Sequence, residues 1–213
     1  MSEIISRFAV LPAYGIGALL VILLFAIQAE VRFGSRARAI RAGASDRNST
    51  LILSLSAAVP VLGFALAMKA NSPAMVPAIP GWFRHAVLPG LPAVGWLGVV
   101  VGTCGLALRL WAVLTLRERF TRTLLVQEDQ SIERGGPYRW VRHPGYLGSL
   151  LCLNGVALAS GNLITLLASL AATSAAYGYR IKIEDHMLIA ALGPPYAEYR
   201  NRIRALWPSF RAD

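Results

Sequence analysis

The chain has 213 residues, of which 55% are hydrophobic and only 15% charged, and its formal net charge is +10. A soluble domain of this size cannot hide so much apolar surface, whereas lipid accepts apolar helices directly, so an ordinary water-soluble fold is excluded. The basic excess comes with no nucleic-acid motif and lies beside apolar tracts, which excludes nucleic acid and points to membrane lipid, with anionic headgroups, as the partner.

The first apolar tract, Phe8 to Ile27, is longer than the ~7–15-residue core of a signal peptide, and its basic residues follow rather than precede it. A retained helix with its N-terminus outside is expected. Arg32, Arg36, Arg38, Arg41 and Arg47 follow in a basic loop. Leu51 to Met68 would be ~27 Å long as a helix, close to the ~30 Å hydrocarbon thickness, and Pro60 could kink it. From Asn71 to Pro92, Pro73, Pro77, Pro80 and Pro89 stand near Trp82, Phe83 and Trp96, a helix-breaking, interface-seeking composition that predicts an extracytoplasmic loop. Val94 to Leu116 reads as a third span, with Gly98 and Gly102 as a small-xxx-small pair and with Arg109, which must snorkel or find an acceptor. Leu147 to Tyr179, interrupted at Ser160-Gly161-Asn162, predicts a helical hairpin that completes five spans, with a re-entrant hairpin as the structural rival.

Charge fixes the expected orientation. In the five-helix arrangement every basic residue except Arg7, Lys69, Arg84 and Arg109 falls on one side, which short-loop Arg and Lys make the cytoplasmic side. The fold class expected is thus all-α: a polytopic membrane protein of about five transmembrane helices, N-terminus outside, with a cytoplasmic C-terminal helical segment. Residues 1–213 form a single membrane domain in this reading, with three spans in 1–116 and a polar loop, the hairpin and the C-terminal segment in 117–213. Cys104 and Cys152 lie in apolar tracts and are expected as buried thiols.

Polar side chains concentrate in two pieces, Glu118 to Gly148 and Arg180 to Phe210, which a hairpin brings together. Neither contains a His-Glu-x-x-His or paired Cys-x-x-Cys arrangement, so no protein metal site is expected. The phosphate-binding glycine patterns of soluble nucleotide domains are missing too. In the first piece, Gly136-Pro137-Tyr138 leads to Arg142-His143-Pro144-Gly145-Tyr146-Leu147-Gly148. Pro144 suits the first turn of a helix whose free amides could seat a carboxylate, Gly145 and Gly148 permit close backbone approach, and Tyr138, His143 and Tyr146 offer aromatic faces. A lipid-interface anchor would explain the same composition. In the second piece Arg180 and Glu184 are four apart, on one helix face, either as a surface pair worth ~0.3–0.5 kcal/mol or as ligand contacts.

Taken together, the two pieces resemble the isoprenylcysteine carboxyl methyltransferase family, related to the membrane phospholipid methyltransferases. The likeness lies in Gly-Pro-Tyr-x-x-Val-Arg-His-Pro-x-Tyr-x-Gly at Gly136 to Gly148, and in Arg180-x-x-x-Glu184-Asp185 followed by Leu-Gly-x-x-Tyr-x-x-Tyr at Leu192 to Tyr199. This resemblance implies a cytoplasm-facing pocket for S-adenosylmethionine, released as S-adenosylhomocysteine, with a lateral opening for a lipophilic methyl acceptor. It implies cofactor contacts at Tyr138, His143, Pro144, Gly145, Tyr146 and Glu184, and Arg180 facing the substrate, so that Arg180 and Glu184 carry the chemistry. Gln130-Ser131-Ile132-Glu133 corresponds to a cofactor-lining stretch that usually reads His-x-Leu-Val, and the chain departs from it at Gln130 and Glu133. The location implied is a multi-pass protein of a prokaryotic inner (cytoplasmic) membrane.

A carboxylate acceptor needs no base, whereas an amine or thiol must lose a proton, with Glu184 or His143 as its acceptor. Two other readings stay open: a membrane reductase of the NADPH-dependent sterol-reductase type, and a non-catalytic scaffold that kept the fold. Nothing in the sequence sets the oligomeric state.

Overall fold

A computed structural model describes residues 47–70, 79–90, 93–117 and 132–209. Phe8 to Ile27, most of the basic loop after it, Gln130 and Ser131 lie outside these residues. The described elements are α1 (Ser49–Ala70), the short α2 (Gly81–Arg84), α3 (Ala93–Leu116), a 3-10 turn (Gly136–Arg139), α4 (Pro144–Ala159), α5 (Leu163–Leu192) and α6 (Pro194–Arg202). Every regular element among the described residues is helical, as expected.

Two of these helices, α1 and α3, are both long enough and apolar enough to cross a bilayer. The α4 helix is equally apolar but has only 16 residues, ~24 Å of rise against ~30 Å of hydrocarbon. At 30 residues α5 has ample length, and its second half carries the charged motif. Five crossings and the orientation of the chain therefore extend beyond what α1 and α3 establish. Leu51, Leu55, Leu62 and Leu66 on α1 are exposed, as suits a helix that meets lipid.

The hairpin closes at Ser160-Gly161-Asn162. Gly161 takes a positive φ of 67°, and the Asn162 side chain caps α5 by accepting from Thr165 N. The same Asn162 donates Nδ2 to Phe83 O at 2.8 Å, and its backbone bridges Val87, so the 79–90 loop is fastened to the hairpin turn. Within the hairpin, Asn154 on α4 donates to Thr173 Oγ1 and accepts from Ser169 Oγ on α5. Interhelical polar contacts of this kind hold apolar rods together where water offers no alternative.

Where α3 meets α4, side chains are replaced by backbone. A Cβ on Gly105 would lie 2.6 Å from both Cys152 N and Gly148 O, and one on Gly148 would lie 2.6 Å from Arg109 N. The small-residue pair expected at Gly98 and Gly102 thus extends to Gly105 and is answered by Gly148 and Gly155. The close backbone approach expected at Gly148 is made by the α3 backbone. Cys104 is exposed rather than buried because it lies off this seam; Cys152 is buried against it, and both thiols are free.

Candidate functional site

Three turns of backbone bring the polar residues to the N-terminal end of α4. Gly136 has φ 52°, and a Cβ there would meet Thr115 Oγ1 at 2.7 Å, so only glycine allows the 3-10 turn to lie against α3. Pro144 at the first position of α4 makes His143 the residue that enters the helix. Gly193, with φ 65°, ends α5 and turns the chain into α6. From there the 203–209 segment runs back beside the Arg-His-Pro motif: Arg142 N donates to Arg204 O at 2.9 Å, His143 N to Ala205 O at 3.0 Å, and Ser209 N to Trp140 O at 2.8 Å.

At the centre is Asp185, which is buried. It accepts from Arg142 Nε at 3.1 Å and Nη2 at 2.8 Å, from Tyr196 OH at 2.7 Å, and lies 3.1 Å from His143 Nε2. Burial raises its pKa, but the hydrogen bond and charge of His143, the Tyr196 hydroxyl and the Arg142 guanidinium outweigh burial and hold the carboxyl at about 2. The remaining Arg142 nitrogen, Nη1, donates to Arg200 O and Ile203 O, so one guanidinium ties α5 to the C-terminal segment. Tyr199 OH donates to Tyr138 O at 2.6 Å. Burial, followed by the Asp185 hydrogen bond, drives the Tyr196 hydroxyl well above its ordinary range, which keeps it a donor.

His143 is 6% exposed and stacks on Tyr146, with centroids 5.4 Å apart and planes within 7°. Its Nδ1 faces Glu184 Oε2 at 3.6 Å. That carboxylate oxygen is buried and has no hydrogen-bond partner among the described residues. Beyond Tyr146 lies Arg180, 2% exposed, which donates Nε to Tyr146 OH at 2.9 Å and Nη1 to Ser49 Oγ at 2.9 Å and Thr50 Oγ1 at 3.0 Å. Arg180 and Glu184 therefore belong to one buried cluster rather than to a solvated helix face.

Tyr138 stands on the α3 side, its hydroxyl 3.5 Å from Ala112 O; burial and the Glu184 charge push it above the usual phenol range, so it stays a neutral donor. Gly145 accepts from Ser149 Oγ at 2.9 Å and from Arg109 Nη1 at 3.4 Å; Arg109 also reaches Ser149 Oγ at 2.6 Å. The acceptor expected for Arg109 is thus the first turn of α4. Glu133 Oε1 caps Gly135 N at 2.8 Å, a local turn contact, and Ile132 precedes it.

Sequence reasoning left Arg142, Asp185, Tyr196 and Tyr199 without roles, although all four stand inside the quoted motifs. Ser49 and Thr50 carried no signal beyond opening an apolar run. Chemically, the assembled cluster offers a stacked aromatic pair, an unpartnered carboxylate oxygen and a buried guanidinium within one site. A cation or hydrogen-bond donor suits the first two, and an anion or carbonyl suits the third.

The isoprenylcysteine carboxyl methyltransferase (ICMT) family model matches residues 96–190, the stretch from α3 through Asp185. Protein-S-isoprenylcysteine O-methyltransferase of Tribolium castaneum is 28% identical over 137 residues, covering 60% of this chain and 49% of that protein. Cobalt-zinc-cadmium resistance protein CzcN of Cupriavidus metallidurans is 33% identical over 127 residues, covering 60% and 53%. Among solved structures, the eukaryotic intramembrane Ras methyltransferase ICMT superposes with a TM-score of 0.57 at 22% identity, covering 72% of this chain and 50% of that one, a likeness of fold. The chain spans about half the length of the curated relatives it matches.

Proposed function

We propose that the chain, whose residues 96–190 match the isoprenylcysteine carboxyl methyltransferase family model, is an integral membrane methyltransferase that uses S-adenosylmethionine to methylate a lipophilic acceptor. The observation that carries this reading is the pairing of Glu184 Oε2, buried and without a hydrogen-bond partner among the described residues, with the stacked His143 and Tyr146 rings, and the buried Arg180 on the far side of Tyr146. A sulfonium cofactor is cationic, and a carboxylate beside aromatic faces is the environment such a cation favours, so the residues present fit it.

When bound, the cofactor supplies an electrophilic methyl group. The chain would do the rest: Tyr138, His143, Pro144, Gly145, Tyr146 and Glu184 would hold the cofactor, with contacts also proposed at Gln130, Ser131, Ile132 and Glu133. Arg180 would hold the acceptor head group. Alignment and exclusion of water supply the rate enhancement. Since Arg180 is a buried cation beside Tyr146, a carboxylate head group fits best, and no base is then needed. The Nδ1 of His143 facing Glu184 favours a second possibility, an amine or thiol acceptor that gives its proton to this pair. The charge bias of the basic loops supports a site at the cytoplasmic leaflet.

Two measurements test the reading. Titration of the detergent-purified protein with S-adenosylhomocysteine should quench the fluorescence of the Trp111–Trp140 pair, whereas NADPH, the ligand of the reductase alternative, should not. Incubation with methyl-labelled S-adenosylmethionine and a membrane lipid extract should label a lipid-like acceptor. Arg180→Ala should lower that labelling by about 10- to 100-fold while S-adenosylhomocysteine still binds. Undiminished labelling in Arg180→Ala would remove its role at the acceptor.

A further inference from the structure

In the proposed transfer Arg180 holds the acceptor, and a long flexible side chain aligns a partner only when it is itself fixed. On one side its Nε donates to Tyr146 OH at 2.9 Å. On the other its Nη1 donates to Ser49 Oγ at 2.9 Å and to Thr50 Oγ1 at 3.0 Å. Both hydroxyls belong to the first turn of α1, and Ser49 is fully buried. The start of α1 is shaped to deliver them. Just before it, Arg47 and Asn48 take positive φ of 44° and 61°, a left-handed pair of non-glycine residues that persists only where surrounding contacts enforce it. One such contact comes from the residue next to Arg180: Tyr179 OH donates to Arg47 O at 3.2 Å. Fourteen positions along α1 from Ser49, a Cβ on Gly63 would lie 2.5 Å from Thr165 Cγ2, which stands fifteen positions back along α5 from Arg180. The two helices are thus antiparallel in matched register, and sliding α1 along α5 would break the contacts at both ends.

We propose that Ser49 and Thr50 are positioning residues for Arg180, and that the start of α1 thereby forms one wall of the acceptor head-group site. A hydroxyl suits this task because it fixes the direction of a guanidinium nitrogen without neutralising it, as a carboxylate would. Both residues lie outside 96–190, so the acceptor site draws on more of the chain than the stretch that matches the family model. The use of Arg180 at the acceptor rests on the methyltransferase reading; the hold of α1 on Arg180 does not.

The test removes both hydroxyls and keeps the shape of the side chains. In the paired variant Ser49→Ala with Thr50→Val, labelling of a membrane lipid extract by methyl-labelled S-adenosylmethionine should fall about 10-fold or more, while S-adenosylhomocysteine affinity stays within about twofold of wild type. Adding the pair to Arg180→Ala should slow labelling no further, because the effect passes through Arg180. Thr50→Ser, which keeps the hydroxyl, should label faster than Thr50→Val, which keeps the shape. Hydrogen exchange at the Arg180 Nε–H gives a readout without turnover, the signal being assigned in a nitrogen-15 arginine spectrum by its loss in Arg180→Lys. Exchange should be slow in wild type and about 10-fold faster in the paired variant. Wild-type labelling in the folded paired variant, full additivity with Arg180→Ala, or unchanged Nε–H exchange overturns the proposal. If the paired variant does not fold, Thr50→Val against Thr50→Ser decides by the same measurements. If wild-type protein labels nothing and binds no S-adenosylhomocysteine, the methyltransferase reading falls, and the exchange rates alone decide whether α1 holds Arg180.

Discussion

Along the α3–α4 seam, Gly98, Gly102 and Gly105 meet Gly148 and Gly155 with backbone touching backbone, and Cβ atoms would have no room. A few residues away, at the start of the same α4, contact is made by long charged and aromatic side chains: Arg142 and Tyr196 on Asp185, His143 on Tyr146, Arg180 on Ser49. Within lipid, helices gain nothing from excluding water, so dispersion at closest approach joins them; at the end of the bundle, ions need fixed partners. The seam should fail when an atom is added, and the polar cluster when a charge is removed.

The largest effect is expected at Arg142. Replacement by Ala would strip Asp185 of its bidentate partner and release Arg200 O and Ile203 O, at a cost of about 3–5 kcal/mol, read as a lower unfolding midpoint in detergent. Gly105→Ala comes next. One methyl forced against Cys152 N and Gly148 O should cost about 1–3 kcal/mol while cofactor affinity in the remaining folded protein is unchanged, and an unperturbed unfolding midpoint would break the proposed contrast.

Much of this division was legible beforehand, and its limits have physical causes. Apolar tracts state where the rods run because lipid demands them, and Leu51 to Met68 and Val94 to Leu116 appear within a few residues as α1 and α3. The hairpin break at Ser160-Gly161-Asn162 was equally plain, since glycine and a capping asparagine mark a reversal. The close backbone approach expected at Gly148 is met by α3, a partner that the residue type alone does not name. Asp185 was passed over because an acidic residue next to Glu184 looks redundant. Only the helical rotation between positions 184 and 185 shows that one carboxylate lines the site and the other is buried behind it. The link from Arg180 to Ser49 and Thr50 is a contact across more than 130 positions, which no local pattern encodes.

The smallest effect sharpens the comparison by pH. Asp185 has its carboxyl lowered from 3.8 to about 2, so its stabilising contribution is complete above about pH 4 and is lost as the pH falls through about 2. That shift corresponds to about 2 kcal/mol. The unfolding midpoint of wild-type protein should drop across this window by more than that of Asp185→Ala, while Gly105→Ala keeps the full wild-type pH dependence.

The segment at 203–209 lies about sixty positions after the motif it fastens, with Arg204 and Ala205 accepting the amides of Arg142 and His143. During synthesis, α3, α4 and most of α5 leave the ribosome and enter the membrane while those two amides still await their carbonyls. The main chain of the motif is therefore fixed only once a segment about sixty positions downstream has been made. A ribosome that stalls before Ala205 would leave a bundle whose His143 had no fixed main chain.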